Sequence, residues 1–166
     1  MSDRQCPADL KLIGFDVDGV FTDGRFYLSD DGVETKAFNT QDGFGIRSLL
    51  DAGIQVAVIS GRSSAAVDKR MEELGVTHVF QDSKDKVAAF KSVVASLGID
   101  ASQTAFVGDD VPDLPLLQHA AFSIAVANAT TRVKDQCDWV TTAAGGAGAV
   151  REACEYVLAH VKAESS

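Results

Sequence analysis

The stretch that decides the fold is Ile13-Gly14-Phe15-Asp16-Val17-Asp18-Gly19-Val20. It is a short apolar run rich in β-favouring residues, the signature of a buried strand, yet two aspartates interrupt it where such a strand carries only hydrocarbon. Side chains two apart on an extended chain share a face, so Asp16 and Asp18 converge on one point as the strand gives way to a loop. Gly19 lets other backbone approach closely there. In open α/β sheets ligands bind at the carboxyl ends of strands, so the two acids mark a site and the remaining chain reads as parts brought to it.

Outward from this strand, apolar runs alternate with helical periodicity. After Phe21-Thr22-Asp23-Gly24, the segment 24–38 reads as two short strands around Ser29-Asp30-Asp31-Gly32, a hairpin signal. Its apolar residues Phe26, Tyr27, Leu28, Val33 and Phe38 exceed what a solvated ribbon holds, so it needs another surface. That surface is either its own domain or a copy of the hairpin on a second subunit. A helix is expected from Asp42, with Ile46, Leu49 and Leu50 inward and Gly53 as its stop. Ile54 to Ser60 is a second buried strand running into Gly61-Arg62, and Ser63 or Ser64 caps a helix facing inward through Val67, Met71 and Leu74. Val79-Phe80 is a short strand, and Ser83 opens a helix with Val87, Phe90, Val94 and Leu97 inward. Thr104 to Val107 is the next strand, followed directly by Gly108-Asp109-Asp110-Val111-Pro112-Asp113. Phe122 to Val126 and Trp139 to Thr141 complete the strands; a helix from about Ala147 to His160 follows, burying Val150, Val157, Leu158 and the adjoining Val161, and a frayed tail begins at Lys162. This alternation implies βαβ units, so the expected class is α/β: a doubly wound, mostly parallel, Rossmann-like sheet with a β-hairpin insertion. At this length residues 1–166 are expected to form a single domain.

Composition narrows function by exclusion. The hydrophobic fraction of 46% and charged fraction of 23% are those of an ordinary globular protein, which sets disorder aside. A net charge of -9 argues against nucleic acid or an anionic membrane as partner, since both need basic patches, and makes a metal cation a natural counter-ion. Cys6, Cys137 and Cys154 are odd in number and share no metal-ligand spacing, so they read as buried thiols rather than a disulfide framework or zinc site. No apolar run reaches the length of a membrane span and Met1 to Pro7 has no apolar leader core; the expectation is a cytoplasmic protein. His78, His119 and His160 share no spacing, and Trp139 reads as core.

Four successive elements place polar groups at one edge: Asp16 and Asp18, then Ser60, then a lysine, then Asp109 and Asp110. Strand ends in a parallel sheet share that edge, so these groups meet. Lys84 and Lys86 compete for the lysine position, and the helical frame Lys86-Val87-Ala88-Ala89-Phe90 favours Lys86. A cluster of carboxylates stays ionised only beside a cation, and hard oxygen ligands with room for water suit Mg²⁺, which also binds phosphate oxygens. The Ser60 hydroxyl and Lys86 ammonium are donors suited to a phosphoryl group. One carboxylate can then attack phosphorus to form an aspartyl phosphate, while another protonates the leaving alcohol and afterwards activates water.

Asp16-Val17-Asp18-Gly19-Val20, Ser60-Gly61-Arg62, Lys86 and Gly108-Asp109-Asp110 with Asp113 resemble the four ordered motifs of the haloacid dehalogenase-like phosphohydrolases. The resemblance implies Asp16 as nucleophile, Asp18 as general acid/base, and Ser60, Gly61 and Lys86 around the phosphate. It also implies Mg²⁺ held by Asp16, the backbone carbonyl of Asp18 and Asp109, with Asp110 and Asp113 supporting the metal. Members of that family usually insert a cap domain after the first motif or between the second and third, and neither gap here holds one. With Gly43-Phe44-Gly45-Ile46, Ile59-Ser60-Gly61-Arg62 and the run from Gly145 to Glu152, the capless chain is similar, from Lys11 to Val161, to the members acting on 3-deoxy-D-manno-octulosonate 8-phosphate in lipopolysaccharide synthesis. That likeness implies a phosphorylated sugar acid as substrate, with the Arg62 guanidinium for its carboxylate. It also implies a homotetramer through the hairpins. Relatives acting on a nine-carbon keto-deoxy sugar phosphate differ at the position of Arg62, which favours the eight-carbon acid. The segment Gly145 to Arg151 is either a plain strand-to-helix loop or one that reaches a neighbour's site. Two other classes stand beside the enzyme. A signalling receiver domain orders its acids, hydroxyl and lysine differently along the chain, and a non-catalytic phosphatase-like assembly module tolerates loss of motif residues, none of which is lost here.

Overall fold

The computed structural model describes residues 4–162; of the tail expected from Lys162, that first residue is held by its amide donating to Ala8 O at 2.9 Å and the rest lies outside the described residues. The first strand, β1 (Leu12–Phe15), is buried along its whole length and ends one residue before Asp16. The two acids therefore follow the strand rather than interrupt it. The Asp16 amide still donates to Val107 O at 3.0 Å, and the chain then turns sharply, with the amides of Val20 and Phe21 both donating to Val17 O. Paired backbone stops where the first side chain that needs water or a cation begins.

The hairpin follows as β2 (Tyr27–Leu28) against β3 (Glu34–Thr35), two residues each. Helix α1 (Thr40–Asp51) is capped by Asn39, whose side chain accepts from the Gln41 amide at 2.8 Å. Next come β4 (Gln55–Ile59), α2 (Ala65–Leu74) and β5 (His78–Phe80). Ser64 occupies the N-cap of α2 without a side-chain cap bond, and its amide instead donates to Gln81 Oε1 at 2.8 Å. Helix α3 (Lys86–Leu97) begins three residues later than expected from Ser83, because Asp85 is the residue whose side chain accepts from the Ala88 amide. Its fully buried residues are Phe90 and Val93; the expected Val87, Val94 and Leu97 are half-buried. Strand β6 (Thr104–Gly108) leads through a 3-10 turn (Val111–Asp113) into α4 (Leu114–His119), and β7 (Phe122–Ala125), α5 (Thr131–Gln136), β8 (Trp139–Val140) and α6 (Ala149–His160) complete the order.

Six strands form one parallel sheet in the order β5-β4-β1-β6-β7-β8. β1 lies at its centre, with Phe15 level with Val58 of β4 and Val107 of β6, so the residues after all three strands emerge together. Helices cover both faces, as a sheet of continuously apolar strands requires. Between β1 and α1 the chain holds only the hairpin, and between β4 and β6 only α2, β5, α3 and a short 3-10 turn, so no cap domain is present among the described residues. Cys6, Cys137 and Cys154 are buried with free thiols. Trp139, expected in the core, is half-buried because β8 is an edge strand; its ring stacks on Tyr156 at 4.1 Å, and Tyr156 continues the stack to His160.

Helix α3 reaches the sheet mainly through Phe90, which is fully buried and meets the Phe106 ring edge-on at 6.1 Å. Truncation there opens a cavity under the helix that carries Lys86. We expect Phe90→Ala to lower the free energy of unfolding by about 3–5 kcal/mol in urea titrations; a loss below about 1 kcal/mol would show that α3 is held elsewhere.

Candidate active site

The carboxyl ends of β1 and β6 are neighbours, and each is followed at once by an aspartate. Asp16 follows β1 by one residue and Asp109 follows β6 by one; Asp113 closes the 3-10 turn after it. Carboxylate oxygens of Asp16, Asp109 and Asp113 lie within 4.8 Å of one another. Lys86, the first residue of α3, donates from Nζ to Asp16 Oδ1 at 3.1 Å and to Asp113 Oδ1 at 2.7 Å. The other Asp113 oxygen accepts from the amides of Asp109 and Asp110, which folds the loop 108–113 onto its own acid.

Three acids face one ammonium, and the imbalance shows in their proton affinities. Burial, then the Asp113 charge, pushes Asp16 up to about 7 against the pull of Lys86 and the Val17 amide. Burial, then Asp16 and Asp113, pushes Asp109 up to about 9. Burial alone would lower Lys86, but Asp16 and Asp113 more than offset it and hold the ammonium above its ordinary range. The cluster is short of positive charge and offers hard oxygen donors, the donor set that suits Mg²⁺. Gly19 shapes the same space. It sits at φ +85°, and a Cβ there would come within 1.9 Å of Asp109 Oδ2.

The other residues singled out from the sequence fall into two groups. Ser60 is buried at the end of β4, its Oγ accepting from the Arg62 amide at 3.3 Å. Asp18 is half-buried beside the cluster, its Oδ1 accepting from Lys36 Nζ of the hairpin. Gly61 and Arg62 are exposed; the Arg62 guanidinium donates to Glu34 Oε1 at 2.7 Å and lies over the Phe26 ring at 4.3 Å. Asp110 is exposed and its Oδ1 accepts from the Val111 amide, so it stands outside the carboxylate cluster while Asp113 stands within it. Lys84 is exposed, and Lys86 is the lysine among the acids.

Two residues that sequence reasoning passed over hold this edge together. Lys36 is one. Asn128 is the other: its Nδ2 donates to Gly19 O at 3.0 Å and its Oδ1 accepts from the Gly145 amide at 2.7 Å. Gly145 packs so closely beneath the loop after β1 that a Cβ would lie 1.9 Å from Gly19 O. Within this chain the glycine run is thus a packing device under the first motif. The hairpin question divides likewise: Phe38 packs on the chain's own core and Lys36 is buried, whereas Tyr27, Leu28 and Val33 are left exposed. A cavity of about 800 Å³ opens at the opposite end of the sheet, lined by Leu10, Lys11, Gly53, Ile54 and Leu158. It contains none of the clustered acids, which stand at the carboxyl edge.

The carboxylate cluster carries a prediction. Acids held above their ordinary range bind protons more tightly folded than unfolded, so without a cation stability falls as pH rises from the unfolded value near 3.8 through about 7 and 9. A cation that replaces those protons therefore stabilises more as pH rises. Millimolar Mg²⁺ is expected to raise the Tm little at about pH 5 and by several degrees at about pH 8, read by thermal unfolding with and without chelator. Equal shifts at both pH values would remove the cluster as the metal site.

Comparison with known proteins agrees with this geometry. Residues 75–152 match the family model of haloacid dehalogenase-like hydrolases. The 3-deoxy-D-manno-octulosonate 8-phosphate phosphatase KdsC of Escherichia coli K12 is 43% identical over 150 residues, which is 90% of this chain and 80% of that one. The crystal structure of the same phosphatase from Moraxella catarrhalis, in complex with magnesium, phosphate and KDO, is 44% identical, covers 93% of this chain and 88% of its own, and superposes with a TM-score of 0.90. The cobalt-bound enzyme from Haemophilus influenzae is 40% identical over 94% of this chain and 91% of its own, also at 0.90. The chain belongs to the haloacid dehalogenase-like hydrolases and, within them, to the family of the 3-deoxy-D-manno-octulosonate 8-phosphate phosphatases.

Proposed function

We propose that the chain is a Mg²⁺-dependent phosphatase that releases phosphate from 3-deoxy-D-manno-octulosonate 8-phosphate in lipopolysaccharide synthesis. The observation that carries this reading is Lys86 bridging Asp16 and Asp113 beside Asp109, at the edge where Asp18 and Ser60 also emerge. The relative crystallised with magnesium, phosphate and KDO supports the metal and the sugar acid. Asp16, Asp109 and the backbone carbonyl of Asp18 would hold the ion, with Asp113 and Asp110 behind them. When bound, Mg²⁺ neutralises the carboxylates and the anionic phosphoryl group, so that Asp16 is ionised and able to approach phosphorus.

Asp16 attacks phosphorus as the bond to the sugar oxygen breaks, and Asp18 gives that oxygen its proton. Water then attacks the aspartyl phosphate, Asp18 takes a proton from it, and Asp16 is released. Ser60 and Lys86 donate to the phosphoryl oxygens as charge develops on them. Arg62 accepts the carboxylate of the sugar acid, which requires its guanidinium to share or leave Glu34. The exposed Tyr27, Leu28 and Val33 support a homotetramer closed through the hairpins, since a two-stranded ribbon with that apolar outer face gains by being covered. Free, buried thiols are consistent with a cytoplasmic enzyme.

The deciding experiment measures phosphate release with Mg²⁺ from the eight-carbon acid phosphate, its nine-carbon counterpart and a hexose 6-phosphate, each with and without chelator. Chelator-sensitive preference for the eight-carbon acid is expected, and Asp16→Asn is expected to remove about 10³-fold or more of the turnover. Preference for the nine-carbon acid would reassign the substrate. Absence of turnover on all three would leave a binding or assembly module.

A further inference from the structure

We propose that Lys36 of the hairpin is a positioning residue for Asp18 in the hydrolytic reaction. The proposal rests on the phosphatase reading, with Asp18 as the acid that protonates the leaving oxygen.

Lys36 lies one residue beyond β3 and its side chain is 1% exposed. An ammonium so removed from water needs anionic partners. Lys36 has two, both in the site: Asp18 Oδ1, and Glu34 Oε1 at 3.8 Å. The same Glu34 oxygen accepts from Arg62, and the Phe26 ring lies against both cations, 5.8 Å from Lys36 Nζ and 4.3 Å from the Arg62 guanidinium. Charges therefore alternate along Asp18, Lys36, Glu34 and Arg62, joining the loop after β1 to the loop after β4 through the hairpin. If packing were the only task of this position, an apolar side chain would fill it without taking an ammonium out of water.

The contact is specific to one oxygen. Asp18 stands on a loop, where a carboxyl group has several rotamers to choose among, and its engagement at Oδ1 by a buried, doubly paired lysine restricts that choice. Oδ2 is left as the oxygen through which Asp18 exchanges a proton with the substrate. In the first step the bond between phosphorus and the sugar oxygen breaks, the proton on Oδ2 passes to that oxygen, and the carboxylate formed stays against Lys36. In the second step Oδ2 recovers a proton from the attacking water. A displacement of the acid by about 1 Å is enough to lose on the order of 10²-fold in rate.

The test uses leaving groups that differ in their need for a proton. A sugar alkoxide leaves phosphorus only with one, and p-nitrophenolate leaves without. In the first step, read as release of the leaving group in a single turnover with enzyme in excess, loss of a positioned acid therefore falls on the first ester, whereas loss of fold, nucleophile or metal falls on both; the second step is common to the two esters. For Lys36→Met we expect the single-turnover rate of leaving-group release from 3-deoxy-D-manno-octulosonate 8-phosphate to fall about 10- to 100-fold further than that from p-nitrophenyl phosphate, with KM for the sugar ester changed less than about threefold. Asp18→Asn should show the same inequality more strongly. Equal losses of the leaving-group release rate on the two esters for Lys36→Met, or a change confined to KM, overturn the proposal when Asp18→Asn shows the inequality. Equal losses for Asp18→Asn overturn the acid role of Asp18 and the proposal with it. No turnover of either ester by the unsubstituted chain overturns the phosphatase reading itself. Should the methionine variant fail to fold, Lys36→Arg, whose planar head cannot occupy the ammonium position, reads the same ratio.

Discussion

Everything at the working edge depends on one imbalance: acids from neighbouring strand ends gather where the one ammonium bonded to them, that of Lys86, neutralises only part of their charge. The parallel sheet creates the imbalance, because β1 and β6 run side by side and deliver Asp16 and Asp109 within one residue of the same height. The 3-10 turn adds Asp113, whose far oxygen is consumed by the Asp109 and Asp110 amides and whose near oxygen receives Lys86. A site so arranged holds its geometry through hydrogen bonds while leaving its charge to be completed from outside. Helix α3 is thereby bound at both levels, through Phe90 to the apolar sheet and through Lys86 to the acids.

Much of this was legible in the chain. Buried strands write themselves as continuous apolar runs: β4 and β7 fall inside the runs read for them, β6 extends one residue past its run, and β1 starts one residue before its run and stops at Phe15. Asp16, Ser60 and Asp109 were visible because polar residues at the ends of such runs need a reason, and Lys86 because a helical frame opens at it. The short helices α4 and α5 were not visible: six residues make less than two turns, too few for a period of 3.6 to show. Ser83 and Asp85 are equally good caps on paper, and only the bond to the Ala88 amide chooses Asp85. Lys36 and Asn128 were hidden for a different reason. A lysine in a polar hairpin looks solvated, and its partner Asp18 is 18 residues away. Asn128 bonds to Gly19, 109 residues distant in the chain. Such contacts are properties of the closed fold, absent from any local window.

The hairpin stands between β1 and α1 and, within its own chain, lies against the loops that carry Asp18 and Arg62. Its inner side carries Glu34 and Lys36 against the loops after β4 and β1, and its outer side carries Tyr27 and Leu28 into the open. Two residues per strand are too few to hold such a ribbon by ladder bonds alone. Ion pairs with the site supply the rest, so the order of the hairpin and the order of the site are one property.

The aromatic stack at the far edge of the sheet gives the molecule a private optical label. Trp139 is the single tryptophan of the chain, and it sits on β8, two strands removed from β6, or about 10 Å of sheet from the nearest strand that bears a clustered acid. Its indole lies on Tyr156 of α6, so its emission depends on whether the last strand and last helix remain joined. Tryptophan fluorescence in this protein is accordingly a gauge of the closing seam of the fold, and its emission changes when α6 lifts away.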